Sequence, residues 1–321
     1  MIITLQKNLG ADSRRDILLA LSLVLPGCLM RRDPAGLYIT IPNPAEAADA
    51  VPLIENLAGV AGVTLSEAEL CPLACAGAKK TFLRPLDFSR GPVFIAGPCA
   101  VEEEASYLAT ARALKAAGAH ALRAALFKPR SSPYAFQGIG WAGLKIIAKA
   151  KKITGLPLVT EATDTRQVER LAAVCDILQL GARNMRNYEL LKEAGNSGRA
   201  VLLKRGMRAT LREWLLSAEY LLKHGAKKLI LCERGDSVFS SDSPGLDFRI
   251  MRQAKKITGF PVIADPSHAA KDREIAGMLA RQALRAGADG LLMEASVSPA
   301  AARVDGRQTV TIETFRAITG K

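Results

Sequence analysis

Hydrophobic and polar positions follow one another in two different rhythms along this chain of 321 residues. In the first 70 residues, short apolar runs and amphipathic stretches come in the order strand, helix, strand, strand, helix, strand. The predicted strands are 2–6, 28–32, 37–41 and 61–66, and the predicted helices are 11–24 and 46–58. This order is that of a ferredoxin-like βαββαβ unit, so residues 1–70 are predicted to form a small α+β domain.

From residue 92 onward, short and almost continuously apolar runs alternate with longer helical segments rich in Ala and Leu. Eight such runs are present, at 93–97, 121–126, 156–162, 177–182, 200–205, 228–234, 261–266 and 290–295. Apolar strands that are each followed by a helix are typical of a parallel sheet buried on both faces. Eight of them predict an α/β fold, a closed (β/α)8 TIM barrel over residues 92–321, with 71–91 as the linker.

An internal echo supports the count of eight strands. AKKITGLPLVTEA at 150–162 and AKKITGFPVIADP at 254–266 match at most positions and contain the third and the seventh strand. An offset of four strands is what two stacked halves of a barrel would leave in a sequence. The echo therefore favours the barrel.

The charge is divided unevenly between the two regions. The chain has a formal net charge of +13, but residues 1–70 carry −3 and the remainder carries +16. A basic barrel suits anionic ligands. Aromatic residues make up only 5% of the chain and no basic run is interleaved with them. This argues against nucleic acid as a partner and favours small phosphorylated ligands.

Cysteine use and hydropathy bear on the compartment. The six cysteines are not spaced as a disulfide framework, which predicts a reducing, cytoplasmic setting. No apolar stretch reaches the roughly 18 residues that a membrane span needs, so no membrane partner is expected. Arg14-Arg15 followed by ILLALSLVLPGC resembles a signal segment, but Asp12 and Asp16 flank the arginines and favour an amphipathic helix of the small domain.

In a (β/α)8 barrel, functional side chains lie at the C-terminal ends of the strands. The second, fourth, fifth and sixth strands place cations there: Arg123, Lys128, Arg130, Arg183, Lys204 and Arg234. Any one of them alone is more often a solvated surface residue. Like charges that converge on one mouth repel and lose hydration, so the whole set is tolerable only where multivalent anions bind. The set predicts two phosphate-bearing substrates.

A second set comes from the first, seventh and eighth strands and from the loop after the eighth: Cys99, His268, Glu294 and Asp305. Cys99 taken alone would often be an ordinary core thiol. Together, one thiolate, one imidazole and two carboxylates form a ligand set of mixed softness that suits a first-row divalent ion. The set predicts a site for Mn2+, Fe2+, Co2+ or Zn2+, without a preference among them.

The sequence blocks at the strand ends resemble one known family. GPCAVE, LRAALFKPRSSPYAFQG, LQLGARNM, LLKRGM, CERG, ADPSH and ADGLLMEA, in this order over roughly 92–321, are similar to the type I 3-deoxy-heptulosonate 7-phosphate synthases. The resemblance implies a transferase that condenses phosphoenolpyruvate with erythrose 4-phosphate in a metal-dependent, aldol-like reaction. The implied product is 3-deoxy-D-arabino-heptulosonate 7-phosphate, at the first step of the shikimate pathway to aromatic amino acids.

The resemblance also implies roles for individual residues. Cys99, His268, Glu294 and Asp305 are expected to ligate the metal, Arg123, Lys128, Arg183, Lys204 and Arg234 to bind phosphoenolpyruvate, and Arg130 and Ser131 to bind the aldose phosphate. Lys128, Glu161 and His268 are expected to take part in catalysis. Three segments depart from the family pattern: Ala295-Ser296-Val297 replaces a usual His-Pro step, SHAAK at 267–271 replaces a more glycine-rich run, and the loop 235–245 diverges.

Two alternatives remain open. The first is 3-deoxy-manno-octulosonate 8-phosphate synthase, which uses arabinose 5-phosphate and whose relatives usually carry Ala-Asn where this chain has Pro129-Arg130. An arginine there offers a fork for the phosphate of a shorter sugar. The second is a non-catalytic sugar-phosphate-binding barrel, which would be expected to have lost some of the metal or phosphate residues.

Residues 1–70 resemble the regulatory extension of some family members in the order of their elements. Every assigned site residue lies at or beyond Cys99, so we expect the barrel to carry the chemistry and residues 1–70 to regulate it. The expected effector is an aromatic amino acid. The expected assembly is a homo-oligomer, a dimer or a tetramer.

Overall fold

The computed structural model describes residues 1–25, 27–33, 36–41, 44–45, 47–76, 85–236 and 245–320. The chain divides into two compact units, residues 1–76 and residues 77–321. Most of the divergent loop at 235–245 lies outside the described residues, as does much of the segment interpreted as the linker.

The described part of the first unit is built on an antiparallel sheet. Its strands are β1 (Ile2–Leu5), β2 (Leu29–Asp33), β3 (Gly36–Thr40) and β4 (Val60–Thr64), and its helices are α1 (Ala11–Val24), α2 (Val51–Glu55), α3 (Glu67–Leu70) and α4 (Pro72–Cys75). The strand order β2-β3-β1-β4 is the ferredoxin-like arrangement and confirms that prediction. The predicted helix 46–58 was too long, because 48–50 form a 3-10 turn and the helix ends at Glu55.

Helix α1, the segment with the signal-like pattern, packs as an amphipathic helix of the first unit. Its Ile17 and Leu21 lie in the same buried cluster as Ile3 and Ile39 of the sheet, whereas Leu19 is exposed. Full burial of a large apolar side chain contributes about 1.5–3 kcal/mol, which favours this packing. Among the described helices, none is long and apolar enough to cross a membrane. All six cysteines are described, and none forms a disulfide.

The second unit contains, among its described residues, a closed barrel of eight parallel strands. The strands are β5 (Val93–Gly97), β6 (Ala121–Arg123), β7 (Leu158–Ala162), β8 (Ile177–Leu180), β9 (Ala200–Lys204), β10 (Leu229–Glu233), β11 (Val262–Ala264) and β12 (Gly290–Glu294). Each strand pairs with the next, and β12 pairs with β5 to close the ring. The predicted (β/α)8 fold is therefore confirmed. Several strands are shorter than predicted, since their last residues already belong to the loops.

Helices follow the strands along the second unit: α5 (Glu104–Ala116), α6 (Gly143–Thr154), α7 (Thr165–Ala172), α8 (Tyr188–Asn196), α9 (Leu211–Lys223), α10 (Phe248–Thr258), α11 (Pro266–Ala270), α12 (Arg273–Arg285) and α13 (Ile312–Thr319). Buried side chains from all eight strands, such as Ile95, Val159 and Leu292, form one cluster with Leu86 and Phe88. The barrel interior is thus a packed core, which leaves the strand ends as the place for a ligand.

The two echoing segments have the same local hydrogen bonding in the barrel. At the end of α6, Lys151 Nζ lies 2.7 Å from Asp176 Oδ2, and at the end of α10, Lys255 Nζ lies 2.8 Å from Asp289 Oδ1. Each aspartate also accepts, at 2.9 Å, the first backbone N–H of the strand that follows the helix, β7 or β11. The sequence echo therefore corresponds to a repeated structural unit, four strands apart.

Candidate active site

The loops at the C-terminal ends of the strands enclose a cavity of about 900 Å³. Nine of the residues predicted for the site line it: Lys128, Arg130, Ser131, Glu161, Arg183, Lys204, Arg234, His268 and Asp305. The other three, Arg123, Cys99 and Glu294, are almost fully buried next to these residues. The structure thus brings the two predicted constellations together at one end of the barrel.

The cavity is strongly basic. Counted over the described residues, nine lysines and arginines line it against two carboxylates, those of Glu161 and Asp305. Four of the cations come from the segments that follow β11 and β12 and were missed by the sequence prediction: Lys271, Arg273, Arg303 and Arg307. A cavity with this excess of positive charge attracts anions and raises their local concentration.

Lys128 and Glu161 form an ion pair at the wall of the cavity. Lys128 Nζ lies 3.2 Å from Glu161 Oε2, and both side chains are largely buried. Burial acts to raise the pKa of Glu161, but Lys128 and Lys204 outweigh it and hold that pKa below its usual range. Burial likewise acts to lower the pKa of Lys128, and Glu161 outweighs it and raises that pKa. Both groups are therefore charged near neutral pH.

Arg123 connects the two constellations. Its Nη2 lies 3.3 Å from Glu294 Oε1, and Tyr107 Oη donates a hydrogen bond to its carbonyl oxygen at 3.2 Å. Gly97, at the end of β5, permits this arrangement, because a Cβ there would lie 2.3 Å from the same carbonyl oxygen. Glycine therefore lets β5 and β6 approach each other and brings Cys99, two residues later, next to Arg123.

The four predicted metal ligands meet beside the cavity. The ligand atoms of Cys99, His268, Glu294 and Asp305 all lie within 4.8 Å of one another. Cys99 Sγ donates to Asp305 Oδ2 at 3.0 Å, and His268 Nε2 lies 3.5 Å from Glu294 Oε1. Burial, together with the nearby Glu294 carboxylate, raises the pKa of the Cys99 thiol well above its usual range. The thiol is therefore protonated in the metal-free protein, and a metal ion would have to displace that proton.

One buried polar atom of this set, Glu294 Oε1, fits a bound cation. Within the described part of the chain, Glu294 Oε1 and His268 Nδ1 have no hydrogen-bond partner. His268 Nδ1 does lie 2.8 Å from Asp265 Oδ2, but in a geometry unsuited to a hydrogen bond. Glu294 Oε1 faces Arg123 Nη2 at 3.3 Å and His268 Nε2 at 3.5 Å without meeting the geometry of a hydrogen bond, so it is available to a divalent cation. The sulfur, nitrogen and oxygen donors together suit a first-row divalent ion.

Asp265 and Gln308 support the metal set but were not part of the predicted site. Asp265 accepts the backbone N–H of His268 at 3.0 Å through Oδ1 and pairs with Lys204 Nζ through Oδ2. Burial acts to raise its pKa, but His268 and Lys204 hold the pKa well below the usual range. Gln308 Nε2 donates to Glu294 Oε2 at 2.8 Å. The place of Asp265 at the end of a strand could have indicated it, whereas Gln308 lies in a loop and carries no such signal.

Two segments that depart from the family pattern have well-defined contacts. After Glu294, the Ser296 N–H donates to the Val310 carbonyl at 3.2 Å, and Ser296 Oγ lies 3.4 Å from Thr110 Oγ1 of α5. In the SHAAK segment, Lys271 adopts φ 58, in the left-handed region that favours glycine, and lines the cavity. The substitution of a more glycine-rich run therefore adds a cation to the mouth at the expense of backbone strain.

Arg205 and Glu233 also stand at strand ends but do not line the cavity. The Arg205 guanidinium binds both carboxylate oxygens of Glu233, at 2.5 and 3.0 Å, and Glu233 Oε1 also accepts the Gly235 N–H at 2.8 Å. Both side chains are buried. This pair joins β9 to β10, so a charge at a strand end is not by itself a site residue.

The DAHP synthetase I family matches residues 89–321. A phospho-2-dehydro-3-deoxyheptonate aldolase from Thermotoga maritima is 40% identical over 223 residues, which cover 69% of this chain and 66% of that protein. A crystal structure of the enzyme of that name from T. maritima, also called DAHP synthase, has a TM-score of 0.82 at 30% identity and covers 99% of this chain and 94% of that one.

A second group of relatives has another name. A 2-dehydro-3-deoxyphosphooctonate aldolase from Syntrophotalea carbinolica is 33% identical over 237 residues, which cover 68% of this chain and 85% of that protein. Its identity to this chain is lower than that of the Thermotoga protein, and the family match extends over the entire barrel. The chain belongs to the DAHP synthetase I family.

Proposed function

We propose that this chain is a 3-deoxy-7-phosphoheptulonate synthase, which condenses phosphoenolpyruvate with erythrose 4-phosphate to 3-deoxy-D-arabino-heptulosonate 7-phosphate and phosphate. The observation that carries the proposal is the position of four potential metal ligands beside a cavity lined by nine lysines and arginines among the described residues. The names of the Thermotoga relative and of the matching crystal structure support the same activity.

Phosphoenolpyruvate, with a carboxylate and a phosphate, suits the inner cations of the cavity. Lys128, Lys204 and Arg123 each have a carboxylate partner that holds the side chain in place, with N to O distances of 3.3 Å or less. Arg123 Nη1 is buried without a hydrogen-bond partner in the described part of the chain. Together with Arg183 and Arg234, these residues would neutralise the bound anion and stabilise the charge that develops at C2 during the reaction.

The aldose phosphate suits Arg130 and Ser131, which follow Lys128 on the loop after β6 and line the same cavity. The planar guanidinium of Arg130 can bind two phosphate oxygens at once, and the Ser131 hydroxyl can donate to a third. This position would place the aldehyde end of the sugar toward the metal ligands. The loop therefore selects the second substrate, and the inner cations select the first.

The chemistry joins C3 of phosphoenolpyruvate to the aldehyde carbon of erythrose 4-phosphate, after which water adds at C2 and phosphate leaves. A divalent ion held by Cys99, His268, Glu294 and Asp305 would supply a Lewis acid for the aldehyde oxygen. Mn2+, Fe2+, Co2+ and Zn2+ all fit the donor set. Glu161 keeps the Lys128 ammonium protonated at the substrate, at 3.2 Å from Oε2.

The competing activity is that of a 3-deoxy-manno-octulosonate 8-phosphate synthase, with arabinose 5-phosphate as the acceptor. Three relatives named 2-dehydro-3-deoxyphosphooctonate aldolase are 33%, 33% and 31% identical to this chain, against 40% for the Thermotoga protein. Pro129-Arg130 favours erythrose 4-phosphate, because the arginine brings its charge to the phosphate of a shorter sugar. The two acceptors are therefore distinguished at this dipeptide.

Phosphate release tests the proposal. The 321-residue chain is assayed with phosphoenolpyruvate and either erythrose 4-phosphate or arabinose 5-phosphate, with a divalent metal or with excess chelator. We expect turnover with erythrose 4-phosphate that chelation abolishes. Faster turnover with arabinose 5-phosphate would assign the competing activity, and full activity in excess chelator would contradict the metal site.

We also propose that the first unit regulates the barrel in response to an aromatic amino acid. Residues 1–76 form a compact unit with its own hydrophobic cluster, and all assigned site residues lie in the second unit. A chain that begins at residue 77 should keep turnover and lose inhibition by phenylalanine or tyrosine. Inactivity of the folded truncated chain would contradict this role.

We further propose that the chain forms a dimer or a tetramer in the cytoplasm. Light scattering would measure the oligomeric state.

A further inference from the structure

The loop that carries Asp305 is attached to the rest of the barrel by a carboxylate outside the metal set. The backbone N–H of Arg303 lies 2.9 and 3.0 Å from the two carboxylate oxygens of Glu102, and the Val304 N–H donates to Oε1 at 3.3 Å. Glu102 is three residues beyond Cys99, in the loop after β5. One side chain therefore links the loop of the first metal ligand to the two residues immediately before the last one.

The loop needs such attachments to keep its shape. Asp305 adopts φ 57, in the left-handed region, which aspartate tolerates better than most residues but less well than glycine. The next residue, Gly306, is close enough to Pro299 that a Cβ would lie 2.7 Å from the Pro299 carbonyl oxygen. On this side of Asp305, Arg273 Nη2 donates to the Gly306 carbonyl at 3.1 Å. The backbone on both sides of Asp305 is thus held by charged side chains of other segments, Glu102 of the loop after β5 and Arg273 of α12.

We propose that Glu102 is a positioning residue of the metal site, which fixes Arg303 and Val304 so that the Asp305 carboxylate stays beside Cys99. The inference rests on the metal site of the proposed function. Backbone N–H groups that donate to a carboxylate form stronger hydrogen bonds than neutral pairs do, so loss of this carboxylate frees the loop. Residues that orient a metal ligand typically change metal affinity about 10–100-fold when they are removed.

The test is a Co2+ titration of the metal-stripped 321-residue chain, in which the absorption band of a cobalt thiolate reports binding at Cys99. Glu102→Ala should raise the Kd for Co2+ about 10–100-fold. Glu102→Gln keeps one carbonyl oxygen as an acceptor and should give an intermediate Kd. Glu103→Gln, at the exposed neighbouring position, is the control and should match the wild type.

A second measurement reads the loop without any metal. Hydrogen exchange of the Arg303 and Val304 amides should become faster in Glu102→Ala and stay unchanged in Glu103→Gln. This readout separates a released loop from a general loss of stability. A general loss of stability would make the amides of the barrel strands exchange faster as well, whereas a released loop would not. If Glu102→Ala does not fold, the same two measurements on Glu102→Gln decide the question.

The failures of the two proposals look different. Wild-type Co2+ affinity and wild-type exchange at Arg303 and Val304 in a folded Glu102 variant would overturn the positioning role and leave the proposed function intact. A wild-type protein that binds Co2+ without the thiolate band would contradict the metal site itself, and the role of Glu102 with it. Accelerated exchange with unchanged affinity would overturn the link between the loop and the metal.

Discussion

The third and seventh strands of the barrel, β7 and β11, begin alike and end differently. Each follows a helix that ends at a glycine, Gly155 with φ 69 or Gly259 with φ 68, and each is preceded by the same lysine to aspartate pairing. Each also delivers a carboxylate to the end of the barrel, Glu161 in β7 and Asp265 directly after β11. Both carboxylates pair with a lysine from elsewhere in the barrel, Glu161 with Lys128 of the loop after β6 and Asp265 with Lys204 of β9.

The residue that follows each carboxylate separates the two copies. Asp265 is followed by Pro266, where α11 starts at once, so its carboxylate caps this helix and lies against His268. Glu161 is followed by Ala162, which is still in the strand, and its longer side chain lines the cavity and pairs with Lys128. A repeated scaffold thus supplies two equivalent carboxylates, and the start of the next helix decides whether each serves the metal set or the substrate cavity.

The largest expected effect is that of Asp265→Asn. Asparagine can still cap α11, but it removes the buried charge that pairs with Lys204 and faces His268. Breaking a buried ion pair from one side costs about 3–5 kcal/mol of unfolding free energy, and metal affinity should fall about 10–100-fold. Urea unfolding and a Co2+ titration measure the two losses. Wild-type metal affinity in this variant would contradict the view that Asp265, unlike Glu161, supports the metal ligands.

A smaller effect is expected of Glu161→Gln, the matching change in the other copy. The free energy of unfolding at neutral pH should fall by about 1.5–3 kcal/mol, because Lys128 loses a charged hydrogen-bond partner. Metal affinity should be unchanged, since Glu161 does not contact the ligand set. Turnover should fall as well, because Lys128 lines the cavity proposed to bind the substrates. A loss of metal affinity equal to that of Asp265→Asn would mean that both carboxylates serve the metal.

The same variant has an expected pH dependence. Lys128 and Lys204 hold the pKa of Glu161 below its usual range, against the effect of burial. A carboxylate with a lowered folded pKa stabilises the fold fully above its unfolded pKa, about 4.3, and this stabilisation is lost as the pH falls through the folded pKa. Stability of the wild type below about pH 4 should therefore fall more steeply than that of Glu161→Gln, as measured by thermal unfolding across that range.

Arg130→Ala tests the substrate side of the comparison alone. Loss of a bidentate phosphate contact of about 2 kcal/mol should raise the KM for the aldose phosphate about 30-fold and change the KM for phosphoenolpyruvate far less. Arg130 lines the cavity two residues beyond Lys128, away from the residues assigned to the metal. Steady-state kinetics with each substrate varied in turn measure the split. Equal rises in both KM values would contradict the assignment.

The smallest effects are expected in the shared scaffold. Lys151→Met and Lys255→Met remove matching ion pairs whose lysines are 39% and 27% exposed. Partly exposed pairs of this kind contribute at most about 1 kcal/mol, so both variants should lose little stability and keep wild-type kinetics. Thermal unfolding measures the stability of the two variants, and kcat/KM measures their kinetics. A large loss in only one variant would show that the two copies differ below the strand ends as well.

The sequence by itself determined the architecture and part of the set of side chains at the end of the barrel. The spacing of apolar residues along the chain identified both units. The βαββαβ order and the eight strands can be predicted from it because each helix and strand buries its apolar face. The strand-end rule then placed Lys128, Glu161 and Lys204 at one end of the barrel without any knowledge of the loops. Helix 46–58 was the exception, because its pattern does not mark where a 3-10 turn replaces the helix.

Only the tertiary structure decided which side chains at that end meet. A strand-end position does not specify the direction of a side chain, so Arg205 turns to Glu233 while Lys204, its neighbour, reaches Asp265. Contacts between loops that are far apart in sequence, such as Glu102 with the backbone at Arg303, carry no local pattern at all. Their energy depends on distances that closure of the barrel sets, and periodicity along the chain contains no record of those distances.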